Sequence, residues 1–246
     1  TASGGFGNTA SGLSATVAGG DLNSARSGRS FIGGGSNNGI GTSADFATVG
    51  GGYLNAANGN YATVAGGESN AAYSTHTHHT VGGGKSNIAS DDYATIAGGK
   101  SNTASNAYSA VLGGNTNTCS GEEAVVGGGN LNRATQMKAG VFSGNDNQSS
   151  GEAAFIGGGV SNDATNLHTT VSGGISNTAS GDKSTIGGGK SNTASSSYSF
   201  VGGGQSNQSK DNFYTAIVGG LSNVATGDYS FVGGGQSNTS RGQKSF

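Results

Sequence analysis

The chain has 246 residues, with 51 Gly, no Pro, 31% apolar and 10% charged residues, and a formal net charge of -2. That composition offers no basic field to hold nucleic acid, and no apolar run approaches the ~20 residues needed to span a bilayer as a helix. A single cysteine, Cys119, excludes an internal disulfide framework.

Low hydrophobicity alone would allow disorder, but the chain is periodic. An asparagine recurs at Asn8, Asn23, Asn38, Asn55, Asn70, Asn87, Asn102, Asn117, Asn132, Asn147, Asn162, Asn177, Asn192, Asn207, Asn223 and Asn238, at a spacing of 15 residues with three intervals stretched to 16 or 17. A fixed period of this size marks a solenoid, in which each repeat forms one coil and the coils stack. The expected fold is an all-β parallel β-roll or β-solenoid of about 16 coils of 15 residues, forming one repeat domain over residues 1–246. Neither end carries an atypical capping repeat, so a fragment of a longer, secreted chain is expected.

Within one coil the elements follow in order. Six residues before each ladder Asn stands Val or Ile, as at Val17, Ile32, Val49, Val64 and Ile96, and two residues earlier a small residue, as at Ala15, Ser30, Ala47 and Ala62. Alternate strand residues share a face, so a short strand turns both columns inward. Its other face carries Thr48, Thr63, Thr95, Phe155, Phe200 and Phe231, beside an aromatic column of Phe46, Tyr61, Tyr93, Tyr108, Tyr198, Tyr214 and Tyr229. Two or three glycines then make a tight corner, as at Gly187-Gly188-Gly189. Repeated at one period without Lys-Ser/Thr in P-loop spacing, they read as corners rather than phosphate cradles. The ladder Asn follows, its amide able to bond its neighbours and the corner backbone, and then a small residue in a column that includes Ala104, Cys119 and Ala134. A second corner closes the coil, with left-handed backbone expected at Gly12, Gly59, Asp91, Asn106, Gly151 and Gly181. The reading is two strands and two corners per coil. Such a core is thin, and the Thr/Phe and Tyr columns form a stripe too apolar for idle surface. Packing against identical copies is expected there, with ligand binding as the other use.

All three length changes fall at the second corner, between Asn38 and Phe46, Asn70 and His78, and Asn207 and Tyr214. Insertions on one edge often mark a binding edge, which makes Thr75, His76, His78 and His79, together with Lys210, Asp211, Asn212 and Phe213, the candidate binding loops. His-x-His can chelate a transition metal, but this run lacks Cys or carboxylate partners nearby in sequence, and His78 stands in the aromatic column as a Tyr substitute. No metal and no cofactor are assigned. Neither Glu122-Glu123 nor Asp91-Asp92 reads as an acid/base pair, because neighbours in a strand point apart. The glycosylation sequons at Asn147, Asn207 and Asn238 use the ladder Asn, which is expected to be packed.

The segment Ser184-Thr185-Ile186-Gly187-Gly188-Gly189-Lys190-Ser191-Asn192-Thr193-Ala194-Ser195 resembles the head repeats of trimeric autotransporter adhesins, the YadA-like head, and similar repeats occur in bacteriophage and bacterial fibre proteins. The resemblance runs through nearly the whole chain, although this repeat is a residue longer than the common one and no neck or heptad stalk is present. It implies a left-handed roll, a homotrimer about one axis, an extracellular, cell-surface or fibre location, and no catalysis. The function expected is a non-enzymatic structural and adhesive rod, binding extracellular matrix protein, glycan or another cell, without nucleic acid and without membrane insertion. The alternative is an ice-binding solenoid using the Thr column. A fibre-borne depolymerase would keep an acid pair in a groove, and no carboxylate cluster breaks the repeat.

Overall fold

A computed structural model describes residues 1–211 and 213–242; Asn212, one of the candidate loop residues, lies outside the described residues. The protein is an all-β parallel β-solenoid with no helix among the described residues. It divides into two units, Thr1–Glu123 and Ala124–Phe246. In the first unit one sheet runs from strand Thr9–Ala10 to Thr118–Cys119, and a second from Thr16–Val17 to Ala110–Val111. In the second unit the corresponding sheets run from Arg133–Ala134 to Thr239–Ser240 and from Val125–Val126 to Phe231–Val232.

Each strand pairs in parallel with the strand one coil on, and the register keeps like residues together. Thr48 faces Thr63 and Val49 faces Val64, while Thr170 faces Thr185 and Val171 faces Ile186. Backbone bonds such as Thr48 N–H to the Ala62 carbonyl and Gly50 N–H to the Val64 carbonyl, both 2.9 Å, carry the ladder. The strands are only two residues long, and those of the Val/Ile column run into the glycine corner within two residues, as at Val49-Gly50 and Val64-Ala65-Gly66. Their second residue is buried and their first is half-buried or exposed, so Val and Ile point in and Thr and Phe out, as the alternation requires. Each buried Val or Ile contributes roughly 1.5–3 kcal/mol, and the Ala/Ser columns fill the space between. Cys119 sits in the Ala column, paired with Ala104 and fully buried, as a small apolar residue does.

The ladder asparagines bind the coils together. Asn70 donates Nδ2 to the carbonyls of Gly66 (2.9 Å) and Gly84 (2.8 Å), and its Oδ1 accepts the backbone N–H of Asn87 at 3.0 Å. One side chain thus satisfies groups of its own coil and the next, at full burial. Buried backbone groups need such partners, and only a side chain with two donors and an acceptor on one amide supplies them all.

Two details of the coil differ from the sequence reading. The coil has a third pairing position besides its two strands: a single-residue bridge column through Tyr53, Glu68, Lys85 and Lys100 in the first unit, and through Val160, Ile175, Lys190 and Gln205 in the second. These residues are exposed or half-buried and keep no single type, charged or polar at Glu68, Lys85, Lys100, Lys190 and Gln205 and apolar at Tyr53, Val160 and Ile175. The left-handed residue of the second corner is not Gly59, Asp91, Asn106, Gly151 or Gly181 but the residue two further on, at Tyr61, Tyr93, Tyr108, Ala153 and Lys183, with φ between 51° and 57°. Gly151 is needed for room instead, because a Cβ there would overlap the carbonyl oxygen of Asn166. At the first corner both demands coincide: Gly84 has φ of 89°, and a Cβ would overlap the Gly99 carbonyl.

Candidate functional site

The corner geometry sets what the surface presents. Because the aromatic column occupies the left-handed corner rather than the strand face, each ring stands directly over the ring one coil away. In the first unit Phe46, Tyr61, His78, Tyr93 and Tyr108 form one continuous stack, with centroids 5.0, 4.7, 4.9 and 5.1 Å apart and near-parallel planes. The Arg29 guanidinium lies 5.0 Å over the Phe46 ring at one end. In the second unit Tyr198, Tyr214 and Tyr229 stack at 4.9 and 5.1 Å, with Lys183 5.0 Å over Tyr198. Left-handed backbone costs a non-Gly residue roughly 1–2 kcal/mol, which ring stacking at about 0.5–1.5 kcal/mol per pair offsets. His78 replaces a tyrosine in the stack, the role its position suggested.

The rings remain exposed at their edges: Tyr61 is 48% exposed, Tyr93 46%, Tyr108 56%, Tyr198 43% and Tyr229 54%. In the strand-face column Phe155, Phe200 and Phe231 are likewise exposed, and Thr48, Thr63, Thr80 and Thr95 stand in consecutive register, half-buried. The two columns together give each unit an apolar and hydroxyl-bearing face.

The length changes lie at the second corner, as the spacing indicates. Around the first, Asp45 accepts the Ser27 hydroxyl (2.6 Å) and the Gly28 N–H (2.8 Å), which hold its carboxyl below the ordinary carboxylate range. Around the third, Lys210 N–H bonds the Ala225 carbonyl, Asp211 is exposed, and Phe213 is 54% exposed against Tyr214. In the second, Thr75, His76 and His78 are exposed, but His79 is not a loop residue. It is fully buried in the inward small-residue column between Ala62 and Ala94, so it cannot meet a ligand from solvent. Its Nε2 reaches Ser74 Oγ at 3.1 Å, its Nδ1 has no hydrogen-bond partner among the described residues, and burial pushes its pKa down.

Stacking also supplies the carboxylates missing from the neighbourhood of the His run in sequence. His76 Nδ1 lies 3.2 Å from Asp91 Oδ1 and 3.5 Å from Asp92 Oδ2 of the next coil. The expectation that Asp91 and Asp92 point apart fails because they lie in a corner, where the strand alternation does not apply. The separation of His76 from Asp91 is 15 residues, one coil, and that spacing was the available signal. Asn147 and Asn207 of the sequons are buried, and Asn238 is exposed.

These features define a β-solenoid repeat protein with stacked aromatic and hydroxyl columns along its surface. No protein-family model matches the chain, and no curated protein matches it.

Proposed function

We propose that the chain is a non-enzymatic, extracellular structural and adhesive module, the head of a homotrimeric surface adhesin or fibre that binds matrix protein, glycan or another cell. The observation that supports this most is the exposure of the Phe155, Phe200 and Phe231 column beside the stacked tyrosines. Apolar surface repeated over coil after coil is costly to leave in water, and contiguous patches of this kind mark interaction sites. A core of one Val or Ile and two small residues per coil gives further reason for copies to share that face. The outer edges and the corner loops, with Thr75, His76, Lys210 and Phe213, are then left for adhesion. The test is binding of the purified chain to immobilised matrix proteins, a glycan array and intact cells. Saturable binding that weakens when Lys210 and Phe213 are replaced supports adhesion; no binding to any of the three surfaces contradicts it.

The four in-register threonines Thr48, Thr63, Thr80 and Thr95 favour a second reading, an ice-binding face. Thermal hysteresis with ice shaping at high protein concentration supports that reading, and its absence discards it.

A further inference from the structure

We infer that His76, Asp91 and Asp92 form a binding site for a divalent transition-metal cation, with Zn²⁺ as the reference ion. The site is independent of the adhesive reading and of any trimer. Three donor atoms from three side chains converge, all within 4.8 Å of one another. The edges from His76 Nδ1 to the two carboxylates, 3.2 and 3.5 Å, match what one shared ion imposes. Donors bonded at ~2.0–2.2 Å with tetrahedral or octahedral angles stand ~3.0–3.5 Å apart.

Charge points the same way. Two carboxylates face the single imidazole of His76, so an ion pair within the cluster leaves negative charge unmatched. A divalent cation neutralises both carboxylates. Asp92 is held for the task by groups outside the donor set: its Oδ1 accepts the Thr77 N–H at 2.7 Å and the Thr77 hydroxyl at 3.2 Å, which fixes Oδ2 toward His76. Partners of this kind that orient a ligand strengthen metal sites.

Of the histidine run, only His76 is available. His78 is clamped between Tyr61 and Tyr93 with Nδ1 on Thr77 Oγ1, and His79 is buried. The longer interval between Asn70 and Asn87 supplies the residues that carry His76 over the next coil. One imidazole and two carboxylates suit zinc, nickel or copper, whereas calcium takes six to eight oxygens. His76 and Asp92 are about half exposed, so the ion would keep water in its remaining positions.

The experiment is calorimetric titration of the full chain with ZnCl₂, beside visible absorption of the wild-type protein with Co²⁺, which needs no variant. The expected result is one saturable Zn²⁺ site per chain and Co²⁺ d–d bands that Zn²⁺ displaces. His76→Ala and Asp92→Asn, checked for fold by circular dichroism, should each weaken Zn²⁺ by at least about tenfold, the loss that even an outer-shell partner causes. His78→Phe should bind as the wild type does. No saturable heat and no Co²⁺ bands, unchanged affinity in His76→Ala, loss of binding in His78→Phe, or Ca²⁺ binding more tightly than Zn²⁺ would each overturn the assignment.

Discussion

Replacing one ladder asparagine, Asn177→Ala, tests what holds coil to coil. Asn177 is fully buried. Its Nδ2 donates to the carbonyls of Gly173 (2.9 Å) and Gly189 (3.0 Å), and its Oδ1 accepts the backbone N–H of Asn192 at 2.9 Å. Alanine removes all of these. The Gly189 carbonyl keeps the Ile175 N–H at 2.9 Å, and the half-buried Gly173 can turn to water. The N–H of fully buried Asn192 cannot, and a stranded buried donor costs about 1–3 kcal/mol. Adding the lost net worth of the other bonds gives about 3 kcal/mol, which for a chain of this size lowers Tm by about 6–12 °C. Asn177→Asp sharpens the test. It keeps an acceptor for Asn192 but turns a charged oxygen toward two carbonyls, so its folded-state pKa is raised. Stability is therefore present below the unfolded carboxylate value of about 3.9 and lost as pH rises through the folded value. Thermal melts of both variants and the wild type at pH 4 and pH 7 should show the deficit of Asp relative to wild type shrinking in acid and that of Ala unchanged. A Tm for Asn177→Ala within 2 °C of wild type would refute the ladder as the element binding the coils.

The stacked corner makes an unusual ranking: Tyr93→Ala loses the rings of His78 and Tyr108 and keeps the left-handed strain, costing about 1–3 kcal/mol, while Tyr93→Gly relieves strain and should be the milder of the two in denaturant titration. Ala153 holds φ of 51° with no ring to gain from it, so Ala153→Gly should stabilise by about 0.5–1 kcal/mol, seen as a higher denaturation midpoint at unchanged slope. Gly84→Ala meets the Gly99 carbonyl as well as a positive φ and should be the most damaging single methyl in the coil. His79 is neutral in the fold: burial lowers its pKa, His76 and His78 act in the same direction, and Asp92 and Asp91 oppose. The unfolded chain takes up its proton first, so stability present above about pH 6.5 is lost as pH falls below it. Melts in chelator across pH 5 to 8 should show that slope, and His79→Ala, matching Ala62 and Ala94, should flatten it.

Much of the fold was legible because a solenoid writes its geometry into its period. Val49, Val64 and Val81 come into parallel register by spacing alone, and the buried Asn column follows from it. The misreadings had local causes. Gly151 was read as a conformational glycine when it is a steric one, which hid the left-handed residue two further on, Ala153 in this coil and a tyrosine in others. The bridge column of Lys85 and Lys100 escaped because its side chains keep no common type from coil to coil, an ion pair joining Lys85 to Glu68 in one place and an amide bond joining Asn130 to Asn145 in another. His79 was assigned to a loop by its neighbours, although its distance from Asn87 already placed it in the inward column. The His76–Asp91–Asp92 cluster was sought along the chain, whereas in stacked coils the neighbour that matters is one period away.

The account rests on the exposed stripe being an interface between copies. Light scattering on the purified chain over a range of concentrations measures this directly. The prediction is a mass of about three times 23.6 kDa, shifted toward the single chain by Phe200→Asp, whose side chain is exposed in the isolated chain and not needed for its fold. A folded species of 23.6 kDa at every concentration would contradict the account and leave the stripe as a surface for ligand or ice.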